Sequence, residues 1–462
     1  MAQPLIYLKQ RAGKDWLVGC DSDAFTNLAE QLYQQLTQLV KQELPPRILL
    51  SQRDPVQFLA GFMAACAARC PVFLGNPDWV EREWQQVLAT VQPDLIWREG
   101  RFPLAPGAAQ DLPAQPGWIM VPTGGSSGEV RFAIHTWSTL MASVQGFRQY
   151  FRVEQVNSFC VLPLYHVSGL MQFMRSFTSG GRLVLQSFKA LEAAAGSDVD
   201  PVDFFLSLVP TQLQRLLETN ATAWLYRCQT VLLGGAPAWP QLLAAARAHG
   251  IRLAPTYGMT ETASQIVTLK PETFLAGNSS CGQVLPHAQV AICSPTGEIL
   301  GANQTGAITI RSQSLALGYY AIFGPTLWVG QWLGDDLGFL DTQGYLTVVG
   351  RQSNKIITGG ENVFPAEVEA ILRATNLVKD VCVIGVPDQD WGEVVTAVYV
   401  PDEPLSLEVL QAALEDHLSK FKRPKYWISV PELPRNPQGK INREQLQQMI
   451  LAWQQATDRL DQ

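Results

Sequence analysis

This chain is poor in metal ligands, in charge and in long apolar runs. Five histidines and eight cysteines are dispersed over 462 residues, and no Cys-x-x-C occurs. A structural zinc site needs clustered ligands, so none is expected. Several cysteines sit in apolar runs, such as Cys160 in SFCVLP and Cys382 in VCVIGV. They read as buried free thiols. Charged residues make up only 16% of the chain, with a net charge of −7. That excludes a nucleic-acid protein, because a phosphate backbone demands a basic face. It leaves room for a nucleotide, which needs only local donors. No run of about 18 apolar residues exists, so no membrane span is expected. The first residues, MAQPLIYLKQRAGKDW, lack the apolar core of a signal peptide, which points to a cytoplasmic location.

What is present suits large packed cores: 47% of residues are hydrophobic, and 462 residues allow roughly two to four domains. Phe25, Leu28, Leu32, Leu36 and Leu39 recur at helical spacing, and short apolar strands come next at Ile48–Leu50, Val72–Leu74 and Leu95–Trp97. Helical segments separate them. This rhythm predicts an α/β fold with parallel-rich sheets and flanking helices. It resumes with strands near 158–163, 182–186, 204–208, 229–233 and 252–256. From about 282 to 350 short β runs broken by turns (QVAIC, GAITI, YLTVVG) predict a small β-barrel-like subdomain. The polar link Arg351–Lys355 then separates apolar segments, as a hinge would. Residues 352–462 read as a compact α+β domain beside an N-terminal domain of residues 1–351.

Four stretches carry chemistry. Thr123, Gly124, Gly125, Ser126, Ser127 and Gly128 come after a predicted strand. Glycines let backbone N–H groups approach a ligand, and the hydroxyls add donors, which suits phosphate oxygens. Taken alone, a plain surface loop explains these residues equally well. Tyr257-Gly258-Met259-Thr260-Glu261 ends another strand, where α/β sheets place ligands. A carboxylate there can hold Mg²⁺ or simply face solvent. The stretch from Gly334 to Glu369 joins a hairpin to a helix through the hinge. The fourth stretch is Pro434-Arg435-Asn436-Pro437-Gln438-Gly439-Lys440.

In this order the four stretches resemble the motifs of the acyl-adenylate-forming superfamily of acid–CoA ligases, adenylation domains and luciferases. The resemblance implies an enzyme that uses ATP, Mg²⁺ and coenzyme A. It makes 123–128 the phosphate loop, with Glu129 where the family has its first lysine and Arg131 where it has the second. It implies that Thr260 contacts the adenylate phosphate, Glu261 binds Mg²⁺, and Tyr257 lies near adenine with Gly234, Gly235 and Ala236. Asp336 or its neighbour Asp335 would hold the ribose, Arg351 would make a second ribose or phosphate contact, and Lys440 would serve the adenylation step. Gly359, Gly360 and Glu361 would meet coenzyme A after the C-terminal domain rotates about Ser353.

The acid is read from PLYHVSG and the apolar helix predicted after it. His166 and Ser168 come after a predicted strand, and Arg175 lies in the apolar run MQFMRSF. A lone arginine there is expected either to snorkel or to meet an acid. Ser207 and Thr211 add hydroxyls. The set resembles the branch of the superfamily that activates one carboxylate of an aromatic dicarboxylic acid, leaving the second for Arg175. Another aryl or medium-chain acid, or a nucleotide-binding relative without catalysis, are the alternatives. Expected partners are the small acid, ATP and coenzyme A, with a homodimer left open.

Overall fold

The computed structural model describes residues 4–40, 45–99, 114–124, 130–320, 326–328, 330–358, 361–388, 391–402, 406–415, 417–435 and 441–458. Among these, four sheets form, and two of them frame the large α/β core. The first has eight strands. Leu17–Val18, Leu183–Leu185, Asn157–Cys160, Phe204–Leu208, Thr230–Leu233 and Leu253–Met259 run parallel. The antiparallel strands Ser264–Thr268 and Gln283–Val284 complete it. The second sheet has seven strands. Trp118–Gly124, Val72–Leu74, Ile48–Ser51 and Leu95–Arg98 run parallel. Val130–Thr136, Gly318–Tyr320 and Thr326–Leu327 extend it antiparallel. The expected parallel-rich α/β architecture is therefore present.

Apolar side chains of both sheets share one cluster with the helices Ser22–Val40, Pro55–Ala67, Trp137–Phe151 and Val167–Ser179. Helix Pro55–Ala67 is apolar on every side because it is almost wholly buried. Asp54 caps it, accepting the Gln57 amide at 2.8 Å, and Pro55 occupies its first turn. Thr136 caps Trp137–Phe151 by accepting the Thr139 amide at 3.3 Å. Gly180, at φ +84°, ends Val167–Ser179 in the left-handed conformation that glycine takes without strain.

The third sheet is fully antiparallel: Ala288–Cys293, Gly306–Ser312, Trp332–Leu340 and Leu346–Arg351. Its last two strands form the hairpin expected at the start of the Gly334–Glu369 stretch. The fourth sheet contains Glu361–Val363, Ile356–Thr358, Gly392–Pro401 and Val378–Asp388, with Tyr426–Ser429 parallel to Gly392–Pro401. Helix Pro365–Ala374 packs on it. That helix also reaches the α/β core, where Arg373 lies 5.2 Å from the Trp239 ring centroid.

Among the described residues no helix is long and apolar enough to cross a membrane. All eight cysteines are free, six of them buried.

Candidate active site

The parallel strand Leu253–Met259 does not enter a helix. It turns through a 3₁₀ turn, Thr260–Thr262, and returns as Ser264–Thr268. Thr260 and Glu261 therefore stand at a hairpin tip. A bulge between Tyr257 and Gly258 lets the strands close tightly. A β-carbon on Gly258 would lie 2.2 Å from the Ser264 carbonyl, so only glycine fits there.

Three residues that sequence reasoning did not single out fix this tip. His135, completely buried, bonds Thr139 Oγ1 at 3.0 Å through Nδ1 and the Thr260 carbonyl at 2.7 Å through Nε2. Burial pushes its pKa down to about 4, so the ring is neutral at pH 7. Ser143 Oγ donates to the Ala263 carbonyl at 2.7 Å. Tyr319 Oη donates to Glu261 Oε1 at 2.6 Å, and the Glu261 carbonyl accepts the Ala316 amide at 2.7 Å. Burial raises the Tyr319 pKa, as does the Glu261 charge, so Tyr319 stays a donor. Each contact to the tip crosses at least 50 residues of sequence, and no local periodicity announces it.

Glu261 is buried, and Tyr319 holds one of its oxygens. Among the described residues no group of three acidic, histidine or cysteine side chains could hold a metal. A single hard carboxylate fits Mg²⁺, which commonly takes one or two protein carboxylates and draws its other ligands from phosphates and water. It does not fit a site built wholly of protein ligands.

Beside the tip lies Asp336, on Trp332–Leu340, 7% exposed. Tyr257 Oη donates to its Oδ2 at 2.8 Å, and Arg351 Nε to its Oδ1 at 3.0 Å. Asp335 takes a different path. It is exposed and accepts the Ser353 amide at 3.1 Å and the Ser353 hydroxyl, capping the 3₁₀ turn Gln352–Asn354. The two aspartates thus divide between a buried polar cluster and the turn at Ser353.

The phosphate-loop candidate is bracketed by a ladder in which Thr123 pairs with Arg131 and Gly124 with Val130. Arg131 is exposed. Gly125, Ser126, Ser127, Gly128 and Glu129 lie outside the described residues, as do Gly359, Gly360 and Lys440. Thr358 pairs with Glu361 across the two glycines, and Arg435 bridges to Ile441 around the lysine segment. Gly234 and Gly235 come directly after the strand Thr230–Leu233; a β-carbon on Gly234 would meet Thr256 Oγ1 at 2.4 Å. Ala236 is exposed beside them.

On the acyl side, His166 occupies the N-cap position of helix Val167–Ser179, with Tyr165 packed on its ring, and Ser168 is in the first turn. Ser207 is on the strand Phe204–Leu208, and Thr211 opens helix Pro210–Glu218. Arg175 neither snorkels nor meets an acid among the described residues. It is 2% exposed, lies 4.3 Å over the Phe147 ring, and donates from Nη2 to Ser264 Oγ at 3.1 Å. Its Nε has no partner among the described residues, and burial lowers its pKa to about 9, which still leaves it charged at pH 7. The Phe147 face and the Ser264 hydroxyl are its partners among the described residues. Ser264 lies just beyond the Thr260–Thr262 turn, so this cation stands close to the hairpin tip.

The hairpin tip, the Asp336 cluster and the buried Arg175 lie in the segments that the resemblance to adenylate-forming enzymes singles out. The family description "AMP-binding enzyme" matches residues 108–320, and "AMP-binding enzyme C-terminal domain" matches 367–440. The chain belongs to the AMP-binding enzyme family. Among its curated relatives, the 2-succinylbenzoate–CoA ligase of Listeria monocytogenes serovar 1/2a is 35% identical, over 71% of this chain and 68% of that protein. The Bacillus subtilis strain 168 ligase of the same name is 31% identical, over 81% and 77%. A solved structure of Bacillus subtilis o-succinylbenzoate CoA synthetase with its acyl-adenylate OSB-AMP superposes with a TM-score of 0.79 at 25% identity, over 95% and 97% of the two chains. MatB from Rhodopseudomonas palustris, 21% identical with a TM-score of 0.79 over 97% and 99%, shares the fold.

Proposed function

We propose that this chain is an ATP-dependent acid–CoA ligase that converts 2-succinylbenzoate to 2-succinylbenzoyl-CoA, a step of menaquinone or phylloquinone synthesis in the cytoplasm. The named relatives support this reading. Eight free thiols fit a reducing compartment. The observation that carries the choice of acid is Arg175. A buried guanidinium without a carboxylate partner among the described residues costs several kcal/mol. An aromatic carboxylate entering beside it would supply the missing charge.

In the first half-reaction the succinyl carboxylate attacks the α-phosphorus of ATP. A P–O bond forms to the acid, and pyrophosphate leaves with the electrons of the bond that breaks. No protein nucleophile is needed; the work is positioning and charge neutralisation. Glu261 would hold Mg²⁺, which neutralises phosphate charge when bound. Thr260, Arg131 and the loop 123–128 would face the phosphates. Tyr257, with Gly234, Gly235 and Ala236, would face the base, and Asp336 with Arg351 the ribose. Lys440 would stabilise the charge developing on the α-phosphate. His166, Ser168, Ser207 and Thr211 would line the acyl path. In the second half-reaction the thiol of coenzyme A loses its proton to solvent and attacks the acyl carbon; a C–S bond forms, and the C–O bond to the phosphate breaks, so that AMP leaves with its electrons. We assign the turn at Ser353 as the pivot between residues 1–351 and 352–462, bringing Gly359, Gly360 and Glu361 to the thiol.

The test is ATP–pyrophosphate exchange with a panel of aryl and medium-chain acids. Exchange strongest with 2-succinylbenzoate, weakened about 10-fold or more in kcat/KM by Arg175→Met, is the expected result. Strongest exchange with another acid, or none with any, would overturn the reading.

A further inference from the structure

Arg175 is not the only polar group left unmatched in this region. His287 stands in the turn between Gln283–Val284 and Ala288–Cys293. Both of its ring nitrogens are buried and have no hydrogen-bond partner among the described residues. An imidazole normally satisfies at least one of them, and each buried orphan costs about 1–3 kcal/mol.

The backbone explains how the ring comes to be there. The His287 carbonyl accepts the Ser312 hydroxyl at 2.9 Å and the Gln313 amide at 3.4 Å. Two residues earlier, the Leu285 amide donates to the Ile266 carbonyl at 2.8 Å, which ties the turn to the strand that begins with Ser264. The ring is therefore placed by the chain, not by bonds of its own. It drops into a notch on helix Trp137–Phe151 that exists because residue 146 is glycine. A β-carbon on Gly146 would lie 1.8 Å from His287 Nδ1. The next residue, Phe147, carries the Arg175 guanidinium on its face. Burial and the positive charge of Arg175 lower the His287 pKa to about 4, so the ring adds a neutral donor and no second cation.

One region thus gathers a charged guanidinium and a neutral imidazole, whose Nε and N–H have no partner among the described residues, and the Ser264 hydroxyl. Each of these groups offers a donor, and a ligand rich in acceptors would satisfy them together. An ionised carboxylate is such a ligand. We infer that His287 is a specificity-determining residue that donates, alongside Arg175, to the ring carboxylate of an aromatic dicarboxylic acid. The inference rests on the substrate assigned above. A two-group grip fixes the orientation of the ring carboxylate, which one cation does not, and so directs the succinyl arm towards the adenylation tip.

The experiment compares kcat/KM for 2-succinylbenzoate with that for 3-benzoylpropionate, the same skeleton without the ring carboxylate. Pyrophosphate release is measured on the full-length wild type, His287→Leu and His287→Gln. The wild type is expected to favour the diacid. His287→Leu is expected to reduce that preference by roughly 10- to 100-fold, the range for losing a hydrogen bond to a charged group. His287→Gln, which keeps a neutral donor, should recover part of it. An undiminished preference in His287→Leu, including an equal loss on both acids, would overturn this inference and leave the substrate reading standing. A wild type that treats the two acids alike would overturn both.

Discussion

Ser264 holds a φ of +85°, a conformation that side chains rarely adopt, while its hydroxyl accepts from Arg175. Strain of this kind persists where the surroundings over-determine it. Ser264→Ala keeps the strain and removes the hydroxyl; Ser264→Gly removes both. Ser264→Gly should be more stable than Ser264→Ala by about 1 kcal/mol in urea denaturation. Equal stability would show that the backbone is relaxed there. His135 makes the second residue-scale prediction. Its pKa is about 4 when folded and near 6.5 when unfolded, so the unfolded chain binds the extra proton between those values. Its contribution is intact above pH 6.5 and is lost as pH falls towards 4. At pH 5 the loss is about 2 kcal/mol relative to pH 7. In His135→Gln the stability difference between pH 7 and pH 5 should shrink by that amount; an unchanged difference would assign the titration elsewhere. None of these roles was legible in the sequence. His135 sits in an alternating strand, FAIHT, where pattern reports only an inward or outward face. Its partner, the Thr260 carbonyl, is 125 residues away.

At the scale of elements, the strands and helices were largely legible, because period-two and helical spacing are local properties. Strands Phe204–Leu208 and Thr230–Leu233 fall close to the expected residues. Strand ends were less so: Leu253–Met259 runs past residue 256 through Tyr257-Gly258-Met259 and turns back as a hairpin. That return depends on pairing with Ser264–Thr268, which no motif encodes. The same limit left Asp335 and Asp336 indistinct. They are neighbours in sequence, but on a strand successive side chains face opposite ways. One side is walled by Tyr257 and Arg351; the other meets the turn at Ser353. Asp335→Gly should release that turn. Hydrogen exchange at the Ser353 amide should accelerate by roughly 10-fold or more, as expected for an exposed amide that loses its acceptor. An unchanged exchange rate would show that Asp335 does not brace the turn at Ser353.

For the whole molecule, separated motifs in a fixed order identified the family where each alone would not have done. The acid was harder to read. The recognition proposed above rests on Arg175, Ser264 and His287, which lie on three distant segments. If residues 352–462 carry the adenylation lysine on a rotating unit, the two half-reactions should be separable. Lys440→Ala should lose about 100- to 1,000-fold in acid-dependent pyrophosphate exchange, the range for removing one group that stabilises transition-state charge. It should still convert supplied acyl-adenylate and coenzyme A to thioester. Equal loss in both assays would remove the lysine from the first half alone.

The contact between Arg373 and Trp239 links the helix Pro365–Ala374 to the α/β core. Indole emission responds to a nearby cation, so a rotation that separates the pair would carry an optical signature. The chain has 13 tryptophans. The trace obtained by subtracting Trp239→Phe from wild type would isolate this one. In stopped flow it would time the passage between the two half-reactions inside a working enzyme, with no label attached.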